Sequence, residues 1–299
     1  MSGRTVLVTG ASSGFGALTV RALGAAGHTV FGGMRGLEGR NTDAARALAQ
    51  HAQASGSDVH AVELDVSDQR SVDAALESIL STGARLDVVV HNAGHMVLGP
   101  AEAFTPEQLA EVYDVNVLGT QRVNRAVLPH LRAQRSGLLV WVGSSSTRGG
   151  HPPFLAPYFA AKAAMDALAE SYAAELARFG IDTTIVVPGA FPCGTNHFAH
   201  AGRPVDTERE AAYDEAYGEL RRGLPARLAS LVPSGSDVQS VADEIVRIVQ
   251  LPRAERPFRT HVDPSRDSSE VVSVVADRIR HEFYHRAGIE DLLSPNDAL

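Results

Sequence analysis

TVLVTGASSGFG, residues 5–16, joins a short apolar run to a loop with three glycines and then to a segment with helical periodicity. Glycine permits positive φ and lets a ligand come close to the backbone. A helix that begins after such a turn presents free N–H groups and the positive end of its dipole, which suit a pyrophosphate group. Gly10, Gly14 and Gly16 would also fit an ordinary tight turn between a strand and a helix. Their place after the first strand favours nucleotide binding over that alternative.

Five further apolar runs follow along the chain, and longer segments with the spacing of helices lie between them. Runs of Val, Leu and Ile without polar alternation are typical of strands buried on both faces of a parallel sheet. The alternation predicts an α/β fold, a doubly wound parallel sheet of the Rossmann-like, three-layer type. Since no repeat or low-complexity linker divides the chain, we expect a single domain. The predicted strands are residues 5–9, 29–34, 59–64, 86–91, 137–142 and 183–188.

Two regions depart from this alternation. Residues 190–235 are rich in Gly, Pro, His and charged residues, and a helix is expected near 207–222. We interpret this region as a substrate lid inserted into the domain. Residues 263–299 form a C-terminal extension with one amphipathic helix and a polar end. The predicted catalytic, dinucleotide-binding domain is therefore 1–262, and the extension is expected to pack on it.

The composition excludes several classes of partner. A formal charge of −8 and a pI near 5.8 argue against attraction to nucleic acid or to anionic lipid. No apolar run approaches the ~18 residues of a membrane span. A single cysteine, Cys193, cannot form an intramolecular disulfide, which favours a reducing, cytoplasmic location. The loop histidines His95 and His197 have no matching cluster of ligands, so we expect no metal site.

The stretch FLAPYFAAKAAMDAL, residues 154–168, places one tyrosine and one lysine four positions apart in an alanine-rich run. Alanine favours helix, and positions i and i+4 lie on the same helix face. Tyr158 and Lys162 are therefore expected to lie one above the other. A phenol and an ammonium group so placed can shift each other's proton affinity, or they can be an inert surface pair.

The end of the second predicted strand bears on the choice of cofactor. In dinucleotide folds an acidic residue at this point binds the ribose hydroxyls of NAD, whereas an arginine accommodates the additional phosphate of NADP. Here Met34 and then Arg35 follow, without a carboxylate. A guanidinium suits a phosphate by its charge and its forked geometry. We therefore predict NADP; the alternative is that Arg35 is one more solvated side chain.

Seven motifs, in matching order and spacing, carry a resemblance to a known family: TGASSGFG (9–16), LDVSD (64–68), HNAG (91–94), NVLG (116–119), GSSS (143–146), YFAAK (158–162) and PGAF (188–191). On these motifs the chain resembles the short-chain dehydrogenase/reductase family over roughly residues 4–262. The resemblance implies hydride transfer between a nicotinamide cofactor and a carbonyl or alcohol substrate. It also implies a working enzyme, because the family's four catalytic positions are all filled.

The resemblance implies a role for each of these four residues. Tyr158 would be the general acid/base that gives or takes the alcohol proton. Lys162 would lower the tyrosine pKa from its usual value of ~10, because a nearby cation favours phenolate. Ser145 would donate a hydrogen bond to the substrate oxygen, although Ser144 and Ser146 are adjacent and the assignment can shift by one. Asn116 would hold a water molecule that links Lys162 to solvent.

The same resemblance implies the cofactor contacts. Asp65 and Val66 would contact adenine, and Pro188 and Gly189 would lie against the nicotinamide. This sequence departs from the family at Phe15, at His91 and at Cys193, where Thr195 is the expected substitute. The complete predicted set is Gly10, Ser12, Ser13, Gly14, Phe15, Gly16, Arg35, Asp65, Val66, Asn92, Ala93, Gly94, Tyr158, Lys162, Pro188, Gly189, Phe191 and Thr195.

The substrate is expected beyond the carboxyl ends of the strands. The segments there carry several apolar side chains, which predict a pocket for a medium-sized hydrophobic alcohol or ketone; each of them can also simply pack the lid on the core. These residues are Met96, Leu98, Phe154, Leu155, Phe191, Phe198 and Tyr213.

The predicted function is that of an NADP(H)-dependent oxidoreductase that acts on a small hydrophobic carbonyl or alcohol. The alternatives are a non-catalytic NADP-binding sensor or scaffold on the same fold, a NAD-preferring dehydrogenase, and a dehydratase or epimerase that uses the cofactor transiently. Relatives pair through the helices that carry Asn116 and Tyr158. A homodimer is therefore expected, with a tetramer left open.

Overall fold

The structure, a computed structural model, describes residues 3–191, 194–195 and 200–294. One parallel sheet forms its centre, with the strand order β3-β2-β1-β4-β5-β6-β7. The chain runs outward from β1 to β3 and then returns to β4 beside β1. Ligands of such sheets bind where the strand order reverses, beyond the carboxyl ends of the strands. The strands are β1 (Thr5–Thr9), β2 (Thr29–Met34), β3 (Val59–Glu63), β4 (Leu86–His91), β5 (Gly137–Val142), β6 (Ile181–Pro188) and β7 (Arg259–Val262).

Helices cover both faces of the sheet, as the doubly wound prediction requires. On one face α1, α2 and α9 pack on the strands, and on the other α3, α5 and α6 do so. In the described chain the helices are α1 (Gly14–Ala25), α2 (Thr42–Ser55), α3 (Gln69–Ser81), α4 (Pro106–Tyr113), α5 (Gly119–Gln134), α6 (Ala156–Ala177), α7 (Thr207–Ala212), α8 (Asp214–Ser230), α9 (Gln239–Gln250) and α10 (Ser269–Ala287).

The central strands show why the apolar runs are continuous. Successive side chains of a strand point to opposite faces of the sheet. Val6 and Val8 belong to the core with α1 and α9, whereas Leu7 belongs to the core with α3 and α5. Val88 and Val89 in β4 divide in the same way, and both are fully buried. Both faces of each strand must therefore be apolar, which is the pattern read from the sequence.

The predicted strands agree closely with the observed ones. The bounds of β1, β2, β4 and β5 are as predicted, β3 is one residue shorter, and β6 begins two residues earlier. The sequence analysis missed β7, which pairs in parallel with β6 at the edge of the sheet. All four of its residues are only partly buried, so no apolar run marks it.

The predicted lid and the extension are both helical in part. The helix expected near 207–222 is two helices, α7 and α8, and α10 forms the amphipathic helix of the extension. No helix within the described ranges is long and apolar enough to cross a membrane. Three residues considered above, Cys193, His197 and Phe198, lie outside the described residues.

Candidate active site

The glycine loop connects β1 to α1 in the conformation that glycine favours. Gly10 has φ +68° and Gly14 has φ +54°, both in the left-handed region. Gly16 lies so close to its neighbours that a Cβ there would be 2.4 Å from both Asn92 Nδ2 and Gly10 O. The loop therefore has no space for a larger residue at Gly16. It leads into a twelve-residue helix whose first N–H groups face the same edge of the sheet.

The turn after β4 is tied to this loop. Asn92 Nδ2 donates to the carbonyl oxygens of Thr9 at 2.9 Å and of Gly10 at 3.1 Å. The hydroxyl of Thr9 accepts from the backbone N–H groups of Asn92 and Ala93. These bonds join the carboxyl ends of β1 and β4 at the point where the strand order reverses.

A cleft of about 910 Å³ opens beside these two turns. Its size suits a dinucleotide, and α1 begins at its wall. The lining includes eleven of the predicted cofactor residues, namely Gly10, Ser12, Ser13, Gly14, Phe15, Arg35, Asp65, Val66, Asn92, Ala93 and Gly94.

Two arginines give one end of the cleft a positive charge. Arg35, at the end of β2, has a half-exposed side chain whose Nη1 lies 3.9 Å from Asp65 Oδ2. Arg40 also lines the cleft and was not predicted. The nearest acid on the neighbouring strand, Glu63, accepts the N–H groups of residues 36 and 37 instead. Burial lowers the pKa of His95 from its ordinary value, and the positive charges of Arg35 and Arg40 lower that pKa further.

Lys162 is buried in α6 and is the only lysine in the sequence. Its Nζ donates to Val142 O at 2.9 Å and lies 3.8 Å from Met165 Sδ. Burial lowers the pKa of Lys162 to about 8, because an ammonium group loses hydration inside the protein.

Tyr158 lies one turn earlier in α6, half-buried among apolar side chains. Burial raises the pKa of Tyr158 to about 12, and a hydrogen bond with Ser144 acts in the opposite direction. The prediction of a net lowering of this pKa is therefore wrong for the chain by itself, because the cost of burying phenolate dominates. At neutral pH the tyrosine is a protonated donor.

The three adjacent serines point to different partners. The hydroxyl of Ser144 is the one bonded to the phenol of Tyr158, and it also lies 2.7 Å from the hydroxyl of Ser146. Ser145 is buried, and its hydroxyl bonds to the carboxylate of Asp267. Ser144, which precedes the 3-10 turn of residues 145–147, is thus the serine bonded to the phenol, whereas Ser145 bonds to Asp267.

Asn116 is fully buried in a π-helical turn, Asp114–Leu118, between α4 and α5. Its Nδ2 donates to His95 O and Val112 O, both at 2.9 Å, and its Oδ1 accepts from His95 N at 3.3 Å. A Cβ on Gly94 would lie 2.9 Å from Asn116 Oδ1 and 3.6 Å from Lys162 Nζ. Gly94 lines the cleft, so Asn116 and Lys162 meet directly behind its wall.

The segment after β6 closes the far side of the site. Gly189 N donates to Val262 O at 3.0 Å, and a Cβ on Gly189 would be 1.8 Å from Asp263 Oδ1. Phe191 packs edge-to-face on Phe15 of the glycine loop, with ring centroids 5.6 Å apart. The unusual Phe15 thus has an aromatic partner on the opposite side. Pro188 ends β6 beside Gly189, and Thr195 Oγ1 donates to Phe191 O.

The C-terminal extension contacts the loop of residues 143–149, which carries the three serines. The sequence analysis did not predict these contacts. The carboxylate of Asp267 bonds to the hydroxyl of Ser145. It also fills the space beside Gly149, because a Cβ on Gly149 would be 2.3 Å from Asp267 Oδ2. Asp267 is in turn held by its own N–H, which donates to Asp263 Oδ2 at 2.8 Å. The extension is thus part of the site's framework.

The predicted substrate residues divide into two groups. Met96, Leu98 and Leu155 are buried together, and Phe154 and Tyr158 pack against them. They form an apolar wall beside the phenol. Tyr213 does not join them: its hydroxyl donates to Glu102 Oε2 at 3.0 Å, and its ring lies against that of Tyr217 on the lid.

The predicted lid is joined to the segment after β4 by backbone and side-chain hydrogen bonds. Val97 and Gly202 form a parallel bridge, and Gln108 Nε2 donates to Arg203 O at 2.9 Å. Phe154, which packs against the apolar wall, has φ +72°, an unfavourable backbone conformation for phenylalanine. Among the residues that the structure describes, no group of three or more His, Cys, Asp or Glu could hold a metal ion.

Comparison with known proteins agrees with this architecture. A family model described as short chain dehydrogenase matches residues 4–203. Human 17-beta-hydroxysteroid dehydrogenase type 1 is 37% identical over 215 residues, which are 70% of this chain and only 62% of the human enzyme. A 3-ketodihydrosphingosine reductase from Bacteroides thetaiotaomicron is 33% identical over 264 residues, 88% of this chain and 89% of that protein. The crystal structure of a short-chain dehydrogenase from Streptomyces avermitilis is 30% identical, with a TM-score of 0.72 and coverage of 96% and 98%.

Proposed function

The chain belongs to the short-chain dehydrogenase/reductase family, and from that premise we propose that it is an NADP(H)-dependent oxidoreductase that interconverts a hydrophobic secondary alcohol and its ketone. The observation that carries the proposal is that the predicted side chains come together in two pairs beside the cleft. Ser144 bonds to the phenol of Tyr158, and Lys162 and Asn116 lie behind Gly94 in the cleft wall.

The cleft fits the proposed cofactor. Gly10, Gly14 and Gly94 line it without side chains, and α1, whose N-terminus would face a pyrophosphate, begins at its wall. When bound, a nicotinamide supplies or accepts the hydride. Residues Gly10 to Gly16 would hold the pyrophosphate, and Asn92 fixes the loop that does so.

The side chains of the site would supply the proton for the carbonyl oxygen and the positive charge that balances the phenolate. With a pKa raised to about 12, Tyr158 stays protonated and can donate its proton to the carbonyl oxygen as that oxygen gains negative charge. Ser144, bonded to the phenol, is placed to donate a second hydrogen bond to the same oxygen. The ammonium group of Lys162 stabilises the phenolate that remains, and Asn116 fixes the backbone beside it.

The apolar wall beside Tyr158 supports a hydrophobic substrate. The relatives named above act on a hydroxysteroid and on 3-ketodihydrosphingosine, as their names state. We therefore propose a panel of hydrophobic ketones of these two classes, with NADPH consumption as the measurement. We expect turnover of at least one member. Tight NADPH binding without turnover of any carbonyl would favour the sensor, and product formation without net NADPH consumption would favour a dehydratase or epimerase.

Arg35 is expected to select NADPH over NADH. Arg35→Ala should weaken NADPH binding by about 10- to 100-fold, since a charge-assisted hydrogen bond contributes about 1.5–3 kcal/mol. NADH binding should change by less than about threefold, because NADH lacks the phosphate. The measurement is calorimetric titration with both cofactors. Arg46→Ala, on the exposed face of α2, is the matched control; equal loss for both cofactors in Arg35→Ala would contradict the proposal.

The pH dependence of carbonyl reduction should reflect the deprotonation of Lys162. Its ammonium group loses a proton as pH rises through about 8, whereas the tyrosine stays protonated to about 12. We expect kcat/KM to be constant below pH 8 and to fall about tenfold per pH unit above it. Because the chain has one lysine, ¹³Cε-lysine labelling gives a single NMR resonance that should titrate at the same pH. A resonance that titrates near 10.5 would contradict this account.

The two serines should differ in function. Ser144→Ala is expected to lower kcat for carbonyl reduction by about 10²-fold, because it removes a hydrogen-bond donor aimed at developing charge. Ser145→Ala is the matched control and should change kcat by less than about fivefold, since its hydroxyl serves Asp267. Steady-state kinetics of both variants decide the assignment. The reverse order of effects would return the role to Ser145.

Association and location remain predictions. We propose a homodimer through α5 and α6, whose surfaces the family resemblance implies, and a cytoplasmic location on the basis of the single cysteine.

A further inference from the structure

α10 lies on the protein with its polar face inward. Ser269 and Ser273 are buried, and Asp277, Arg280 and Tyr284 are partly buried. Their spacing of four, four, three and four residues places all five on one face of the helix. A surface helix normally buries its apolar face instead.

The outward face of the same helix carries a cluster of exposed apolar side chains. Six large ones there are 46–65% exposed, and the ion pair of Arg278 and Glu282 lies among them. Scattered exposed apolar residues are ordinary, but six on one face of one helix indicate an interaction site. The residues of this face, called here the α10 outer face, are Val271, Val272, Val274, Val275, Ile279 and Phe283.

Charged contacts fix the orientation of α10. Asp277 lies 3.5 Å from Arg259 Nε and 4.0 Å from Arg148 Nη1. The guanidinium of Arg280 stacks on the ring of Phe258, 3.8 Å from its centroid. Rotation of the helix would break these contacts and bury its charges without partners. The outer face is therefore held towards solvent and is available to a partner.

We propose that the α10 outer face packs antiparallel against the same face of a second copy of this chain. Val272 and Ile279 are seven residues apart, as are the partly buried Ala276 and Phe283, which is the spacing of a two-helix seam. Antiparallel pairing about the midpoint between residues 277 and 278 sets the small Val272 of each copy against the large Phe283 of the other. The two ends of the face thus complement each other in size.

The charges of α10 favour the same arrangement. Its N-terminal end carries the acidic Glu270, and its C-terminal end carries His285 and Arg286. Antiparallel pairing brings the acidic end of each copy to the basic end of the other, whereas parallel pairing sets like charges together. The helix dipoles also oppose each other favourably.

A second copy suits this face better than a membrane does. Helices that lie on membranes carry an excess of Lys and Arg beside the apolar face. α10 contains three acidic and three arginine side chains, and the chain has a net charge of −8. An anionic lipid surface therefore gains no attraction from this helix. The charged residues are Glu270, Asp277, Arg278, Arg280, Glu282 and Arg286.

The first experiment measures mass by sedimentation equilibrium. One pair of nineteen-residue helices lies at or below the ~1,200 Å² lower limit of stable interfaces, so association should depend on concentration in the micromolar range. The variant Val275→Glu/Ile279→Glu should have half the wild-type mass at high concentration. Its NADPH turnover should be unchanged, which shows that it folds. Leu231→Glu, at another exposed apolar residue, is the control and should keep the wild-type mass.

The second experiment tests the orientation. In a Cys193→Ser background, Val272→Cys and Phe283→Cys proteins are oxidised separately and as a mixture. Antiparallel pairing predicts a covalent dimer only in the mixture, because like residues are about 16 Å apart along the helix. Cross-linking of Val272→Cys alone, or none in the mixture, would overturn the proposal. Equal masses of wild type and Val275→Glu/Ile279→Glu would also overturn it. So would a wild-type protein that does not self-associate but binds phosphatidylcholine vesicles through α10.

Discussion

Tyr158→Phe should lower kcat for carbonyl reduction by about 10³-fold or more, because it removes the proton donor and leaves the ring in place. The ring packs against Met96, Leu98 and Leu155, and phenylalanine preserves those contacts. NADPH affinity should change by less than about threefold, since the phenol oxygen lies outside the lining of the dinucleotide cleft. Stopped-flow measurement of NADPH consumption, together with calorimetric NADPH titration, separates the two effects.

The control for Tyr158→Phe is Tyr172→Phe, which removes a hydroxyl from the same helix. That hydroxyl donates to Gln121 at 2.6 Å, away from the cleft. Its loss should change kcat by less than about twofold and stability by about 1 kcal/mol. If both variants retained wild-type kcat, another group would have to donate the proton, and the proposed function of Tyr158 would be wrong.

Lys162→Met should lower kcat by about 10³-fold without a loss of thermal stability. The side chain is buried, its pKa is lowered by burial, and its ammonium group has no carboxylate partner within reach in the described structure. Replacement of a buried charge by an apolar side chain of similar length removes a desolvation cost, so Tm should stay equal or rise. Activity lost with no loss of stability identifies a residue kept for function rather than for folding.

A second variant distinguishes the charge from the shape of Lys162. Lys162→Ala leaves a cavity behind Gly94, and small primary alkylamines added to the assay should restore part of the lost kcat in their protonated form. Rescue should therefore decline above the pKa of the amine. Activity of Lys162→Met within tenfold of wild type, or an absence of rescue by any amine, would contradict the assigned role.

The arrangement of the sheet could be predicted because burial on both faces leaves a direct mark on the sequence. β1, β4 and β5 are continuous apolar runs, and their bounds were predictable to the residue. β7 lies at the sheet edge with polar side chains, Arg259 and His261 among them, whose partners lie in other elements, α6 and α10. No local pattern marks such a strand, and only the tertiary structure shows it.

The site was predictable in its residue types but less so in its geometry. The spacing of Tyr158 and Lys162 follows from helix periodicity, which is local. The choice between Ser144 and Ser145 depends on the rotation of a turn, and the pKa of Tyr158 depends on how much apolar surface surrounds it. Neither quantity is local in sequence, so neither could be read from it.

Arg40 shows how a turn brings a functional side chain into place. Gly36 has φ +66° and reverses the chain after Arg35, so that a Cβ on Gly36 would lie 3.1 Å from Arg40 Cγ. The turn returns Arg40 to the cleft beside Arg35. The glycine was visible in the sequence, but the direction in which it sends the chain was not.

The most direct test of the account follows the transferred atoms. Wild-type protein is supplied with a ketone that it turns over and with NADPH carrying deuterium at the transferred position, and the alcohol is analysed by mass spectrometry. We predict one deuterium on the carbinol carbon, formed at a rate that Tyr158→Phe lowers by about 10³-fold. An alcohol without deuterium, or one formed equally fast by Tyr158→Phe, would contradict the proposed chemistry.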